Sequence, residues 1–295
     1  MNIQIKFAII AIAIVIPLSS IAVYGTDSNQ QFEKIENNKL QVISSFYPLH
    51  EFSQIIGQEK IDAVLLVPVG VEPHDWEPTI KDVQQIQKSD LIIINGMGFE
   101  SWVDGLLENN YQGKIIDTSN GISMKNSNDD PHIWLNPVFA KLQVQNIALA
   151  FSNSDPENGE FYHLNAVRYN EQLDSLDSKI RNELSDCRND FVAFHKAFSY
   201  FADEYDLNQH TIISSTNSHG EVTAKTLENV ISKSKELGIS VIFNEDTIDS
   251  KTSNVIANEI NGKVLVLSPL EIASDGTYIS KMIENLENLK VALCQ

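Results

Sequence analysis

Short apolar runs alternate along this chain with longer stretches whose apolar positions recur every three or four residues. Asp90-Leu91-Ile92-Ile93-Ile94-Asn95-Gly96 is one of the short runs, an aliphatic core closed by a turn signal, as a strand buried on both faces of a parallel sheet would read. Similar runs predict strands at 40–46, 60–67, 114–117, 190–194, 211–214, 240–243 and 263–267. The stretches between them predict helices at 48–56, 79–88, 99–108, 197–205, 223–237, 250–260 and 278–293. Strands alternating with helices in this way imply parallel sheets.

The alternation is interrupted once. Asn136-Pro137 and Asp155-Pro156 each place a capping side chain before a proline at the first helical position. Two consecutive helices therefore follow, at about 138–151 and 157–186. In the second, Tyr162, Ala166, Tyr169, Leu173, Leu176, Ile180 and Leu184 form a narrow apolar stripe, while Glu171, Asp174, Asp177 and Lys179 mark a solvated face. A helix of this length spans roughly 45 Å, more than one small domain, and reads as a strut along two. The expected organisation is an α/β chain of two small parallel-sheet domains, residues 39–155 and 188–295, joined by a connecting helix at 156–187.

The first 24 residues stand apart. Lys6 precedes an apolar run from Phe7 to Ile16, which reads as an export signal or as an uncleaved anchor. Residues 25–38 are polar and read as a linker. The protein is therefore expected to act outside the cytoplasm, in the periplasm or at the cell surface. A formal charge of −19 argues against a nucleic-acid partner, which would demand a basic surface. The two cysteines, Cys187 and Cys294, lack metal-ligand spacing. An oxidising compartment permits their pairing; two free buried thiols are the alternative, and the bridge is expected if the last helix returns to pack beside the end of the strut.

The chemistry concentrates in histidines. Pro73-His74-Asp75-Trp76-Glu77-Pro78 and Pro131-His132-Ile133-Trp134-Leu135-Asn136-Pro137 repeat one pattern, a histidine fixed by a preceding proline and flanked by a tryptophan that can wall off water. Neutral imidazole is the commonest metal ligand among side chains. His74, His132, His195, Glu245 and Asp275 all follow expected strands, and in open α/β sheets ligands bind beyond the carboxyl ends of strands. Three imidazoles with a carboxylate suit Zn²⁺; more oxygen would suit Mn²⁺. His50, His163 and His210 read as helix or strand residues, and His219 as a loop residue that could line the site.

Four segments together carry a resemblance: Gly70 to Pro78, Asn95 to Trp102, Asp130 to Pro137 and Phe194 to Phe201. They resemble the zinc/manganese-binding receptors of ABC metal importers, of the periplasmic zinc-uptake type. The resemblance covers nearly all of the chain after the export signal. It implies two α/β domains on one long helix, with metal bound in the cleft between them by His74, His132 and His195. It implies a fourth ligand in the loop after the last strand, where Asp275 is the candidate; Glu245, after the strand at 240–243, is the reserve, and a water is the third option. Histidine at 195 matches zinc-type members, whereas many manganese-type members carry glutamate there. The His-rich loop that many zinc receptors place before the second histidine motif is absent; this chain has Asn126-Ser127-Asn128-Asp129-Asp130.

The implied function is capture of a divalent metal, Zn²⁺ before Mn²⁺, and its delivery to an ABC membrane permease by a monomeric receptor that is not an enzyme. A connecting helix that limits domain closure would leave release to loop and ligand movement. A secreted zinc hydrolase is the competing reading. It would need an open metal position and a base such as Glu72 or Glu245, and the chain has no HExxH element. Receptors for haem or siderophores would not call for three histidines.

Overall fold

The computed structural model describes residues 39–108, 111–122, 130–216, 222–273 and 275–294. The export signal and linker expected at 1–38, His219, and the acidic stretch before Asp130 lie outside the described residues. No helix among the described residues is long and apolar enough to cross a membrane.

Two four-stranded sheets are built in the same way. The first contains β1 (Leu40–Ser44), β2 (Ile61–Leu65), β3 (Leu91–Ile94) and β4 (Lys114–Asp117), in the order β2-β1-β3-β4. The second contains β5 (Asp190–Ala193), β6 (Asn208–Thr211), β7 (Val241–Asn244) and β8 (Lys263–Val266), in the order β6-β5-β7-β8. Every pairing is parallel. In the first half the connecting helices are α1 (Tyr47–Gly57), α2 (Ile80–Ile86) and α3 (Val103–Glu108). Then α4 (Pro137–Ser154) and α5 (Gly159–Leu184) form an antiparallel pair, and α6 (Ser199–Glu204), α7 (Ala224–Leu237), α8 (Lys251–Glu259) and α9 (Tyr278–Leu293) complete the second half.

The central strands are apolar on both faces because both faces are covered, and their residues sort with a period of two. Leu91 and Ile93 of β3 join one core, while Ile92 and Ile94 join another on the opposite face. In the second sheet Phe191, Ala193, Val241 and Phe243 face the first of these cores, and Val192 and Ile242 face a third. The core that receives both inner faces is continuous from Leu40 to Leu293 and includes the whole apolar stripe of α5. Tyr162, Ala166, Tyr169, Leu173, Leu176, Ile180 and Leu184 are all buried there. The long helix is thus a spine inside a shared core.

Two local expectations need correcting. Asn136 does cap α4, its Oδ1 accepting from the Val138 N–H at 2.8 Å. Asp155 does not repeat the device. Its carboxylate accepts instead from Asn158 Nδ2 at 2.7 Å and the Tyr162 hydroxyl at 2.6 Å. A 3₁₀ turn over Pro156–Asn158 intervenes, and the α-helix starts at Gly159. The 26 residues of α5 then reach about 39 Å. The strand expected at 211–214 is displaced to Asn208–Thr211. β6 is an edge strand and correspondingly polar, whereas the apolar Ile212 and Ile213 lie just beyond it, where the chain dives into the core.

Cys187 and Cys294 form a disulfide. It joins the chain just past α5 to the end of α9, beside a backbone hydrogen bond from Arg188 N–H to Leu293 C=O of 3.0 Å and a Lys290–Glu183 ion pair of 2.6 Å.

Candidate metal centre

The site lies where the carboxyl ends of the two sheets deliver their loops. His74 sits on the loop after β2; its backbone N–H donates to Glu72 Oε1 at 3.3 Å, and its ring meets the edge of Phe99 at 4.8 Å between centroids. Phe99 in turn packs on Phe46 and Trp134, so the loop is exposed on one side and seated on aromatic core on the other.

His132 is buried and held more tightly. Asp130 Oδ1 lies 2.7 Å from His132 Nδ1 and also accepts the His132 backbone N–H at 3.1 Å. A carboxylate acceptor at Nδ1 places the hydrogen there and turns the lone pair of Nε2 into the site. The carbonyl of Pro131 accepts from Asn95 Nδ2 at 2.7 Å. Asn95 belongs to a buried network in which Gln143 Nε2 donates to its Oδ1, while Glu100 accepts from Asn95 N–H, Gly96 N–H and the Ser45 hydroxyl. Gly96 has φ +84°, and a Cβ there would fall 2.0 Å from Asp117 Oδ1, so only glycine fits this turn.

Burial drives the Glu100 carboxyl up to about 7 against the donors that favour its charged form. Its pKa in the unfolded chain is near 4.5, so the folded state binds the proton more tightly. Stability from this group is complete below about pH 4.5 and is lost as pH rises through 7. Glu100→Gln mimics the protonated form. Between pH 5 and 8 the metal-free wild type should therefore lose on the order of 3 kcal/mol relative to that variant in denaturant unfolding; parallel stability curves would refute this.

His195 lies two residues past the end of β5, and Glu245 directly follows the neighbouring strand β7. Glu245 Oε1 lies 2.5 Å from His195 Nδ1 and accepts the His195 backbone N–H at 3.2 Å. This is the arrangement of Asp130 and His132 repeated in the second half. Glu245, the reserve ligand of the sequence reading, is thus placed behind a histidine. Asp275 does not reach the site either: it is exposed in the turn before α9.

The carboxylate that does meet the histidines is Glu271. Its Oε1 lies 3.1 Å from His132 Nε2, 3.3 Å from His74 Nε2 and 3.6 Å from His195 Nε2. His132 Nε2 lies 3.2 Å from both of the other Nε2 atoms. The donor atoms of His74, His132, His195 and Glu271 are all within 4.8 Å of one another, and no other such cluster occurs among the described residues. Metal–ligand bonds of 2.0–2.1 Å in a tetrahedron put the donors about 3.3–3.4 Å apart; the contacts made by His132 and Glu271 run from 3.1 to 3.6 Å, around that value, and the whole set stays within 4.8 Å. The set of three imidazoles and one carboxylate therefore fits Zn²⁺ in geometry and in donor chemistry.

The electrostatics agree. Burial opposes charge on the Glu271 carboxyl, and contact with the histidines outweighs it, holding the group well below its usual range. Burial lowers the pKa of His195 while Glu245 and Glu271 raise it, leaving the ring at about 10 without metal. Of the two tryptophans expected to wall the site, Trp134 does so, 5.1 Å from the His132 ring. Trp76 packs on Trp102 instead. His210 pairs with Asp190 at 2.8 Å away from the cluster.

Residues 42–292 match the family described as zinc-uptake complex component A, periplasmic. The chain belongs to this family. It is 34% identical to the high-affinity zinc uptake system protein ZnuA of Bacillus subtilis (strain 168), over 92% of this chain and 93% of that protein. It is 30% identical to the zinc-binding protein AdcA of Streptococcus pyogenes serotype M1 over 94% of this chain, which spans only 61% of AdcA. The Zn(II)-bound ZnuA-like domain of Streptococcus pneumoniae AdcA superposes with a TM-score of 0.79 at 32% identity, covering 87% of this chain and all of that domain. A crystal structure of ZnuA gives 0.78 at 29% identity, over 86% and 99% of the two chains. The two-sheet architecture and long connecting helix are those of the zinc-uptake component A family, which is named for uptake and not for a reaction.

Proposed function

We propose that this protein captures Zn²⁺ outside the cytoplasm and delivers it to the membrane permease of an ABC importer. The observation that carries the reading is the convergence of His74, His132, His195 and Glu271, whose donor atoms lie within 4.8 Å of one another with His132 3.1–3.2 Å from the other three. Four protein donors leave no open position for a reacting water, which favours a binding protein over a zinc hydrolase. Glu245, the potential base, is engaged by His195. Three nitrogens and a single carboxylate favour Zn²⁺ over Mn²⁺, which prefers more oxygen ligands and a larger coordination number.

Metal analysis of the purified protein, followed by competitive titration with Zn²⁺ and Mn²⁺, tests the proposal: one zinc per chain and displacement of manganese by zinc are expected. Because zinc exceeds manganese at almost any such site, His195→Glu is the sharper test of selectivity. It should narrow the zinc-to-manganese affinity ratio, and an unchanged ratio would remove His195 from the ligand set. The carboxylates are separated the same way. Glu271→Ala should weaken zinc binding severely, whereas Asp275→Ala should leave it at the wild-type value; the reverse pattern would overturn the ligand assignment.

A further inference from the structure

Glu271 arrives from the second half of the molecule and His132 from the first, yet the two loops are tied to each other independently of any metal. Trp134, two residues past His132, donates its Nε1–H to the carbonyl of Pro269, two residues before Glu271, at 2.8 Å. The carbonyl of Trp134 itself accepts the buried hydroxyl of Tyr278, the first residue of α9, at 2.5 Å. The backbone N–H of Tyr278 donates to Glu51 of α1, with both carboxylate oxygens at 2.8 Å. Tyr278 thus bonds the first half twice, at Trp134 and at Glu51. Further along α9, Asn285 clamps the Glu271 loop from behind: its Oδ1 accepts the Ser268 N–H at 2.8 Å and its Nδ2 donates to the Ser268 carbonyl at 2.7 Å. Between clamp and ligand, Leu270 is held at φ +57°, a left-handed conformation that a leucine adopts only when its surroundings impose it.

We infer that Tyr278 and Asn285 are positioning residues for the metal centre: α9 latches the two halves through Trp134 and Glu51 and thereby sets Glu271 against His132. The inference rests on the zinc reading of the four-residue cluster. Its physical basis is that a ligand loop in a strained conformation relaxes once its clamps are removed, and a carboxylate that has drifted no longer completes the tetrahedron. The effect belongs on the lifetime of the bound ion. The nitrogen donors still capture it, but the fourth bond that retains it is weakened.

The test measures zinc dissociation into excess chelator from wild type, Tyr278→Phe, Asn285→Ala and a control, Tyr162→Phe. Tyr278→Phe keeps the ring packed on Phe52 and deletes only the hydroxyl bond to Trp134. The control also deletes a tyrosine hydroxyl bond, here to Asp155 in the α4–α5 turn, far along the chain from the ligand loops. Dissociation should accelerate about ten-fold or more in Tyr278→Phe and Asn285→Ala, the size seen when an outer partner of a ligand is lost, with no change in Tyr162→Phe. Melting of the metal-free proteins gives the structural contribution separately. If Tyr278→Phe and Asn285→Ala lower the melting temperature but release zinc at the control's rate, the residues are merely structural and the inference is overturned. A wild type that binds no zinc would overturn the proposed function instead.

Discussion

Alanine at His132 is expected to weaken zinc binding far beyond the roughly 10–100-fold that follows loss of an outer partner, while the metal-free protein still folds. His132 is the vertex to which the other donors are nearest: its Nε2 lies 3.2 Å from His74 and His195 and 3.1 Å from Glu271. The remaining donors stand on loops from different strands, and without the central ring nothing brings them to one point. The fold should survive because the shared core is hydrocarbon contributed by β1, β3, β5, β7 and the helices. The local cost is the Asp130 carboxylate, buried and deprived of its ring donor, on the order of 1–3 kcal/mol. Asp130→Ala supplies the graded companion, since it keeps the ligand and removes what orients it; a 10–100-fold loss is expected. Isothermal titration of each variant with zinc, together with circular dichroism of the metal-free form, checks both parts. Wild-type affinity in His132→Ala would exclude it from the site.

Removing the disulfide is expected to have the largest effect on stability. Cys187 and Cys294 are separated by 107 residues, so their bridge closes a loop containing the second sheet and its helices. A loop of this size constrains the unfolded chain by about 4.7 kcal/mol in the chain-entropy model. The double variant Cys187→Ser, Cys294→Ser should lose roughly 4–5 kcal/mol in denaturant unfolding and melt about 10–20 °C lower. Its unfolding should also show a steeper denaturant dependence, because the uncrosslinked chain exposes more surface. Zinc affinity should be retained. The bridge lies at the end where α5 leads into β5, opposite the carboxyl ends that carry the histidine cluster, and the Arg188–Leu293 and Lys290–Glu183 contacts still dock the two chain segments. Equal stability of the variant and the oxidised protein would show that the loop is already constrained by folding in the denatured state.

Much of this protein was legible in the order of its residues. The aliphatic runs marked the central strands because a strand covered on both faces has no polar side to alternate with. The apolar stripe of α5 was readable residue by residue, since helical period alone decides which positions can share a face. His74 and His132 were marked by their prolines, and His195 by its place at the end of a strand. Tertiary structure decided the rest. The strand at Asn208–Thr211 was hidden because edge position, which local sequence does not encode, allows it to be polar. Glu271 was missed because the chain carries 40 acidic residues and a carboxylate that will meet the histidines has no local signature among them. Asp275 in its Ser-Asp-Gly setting was a turn residue. What selects Glu271 is the path of its loop, set by the left-handed Leu270, the Asn285 clamp and the Trp134 hydrogen bond from the other half. Glu245 likewise could not be told from a ligand until the adjacent strands β5 and β7 placed it behind His195. Sequence determines which residues are able to bind a metal; only the packing of the two sheets on one shared core brings four of them to a common point.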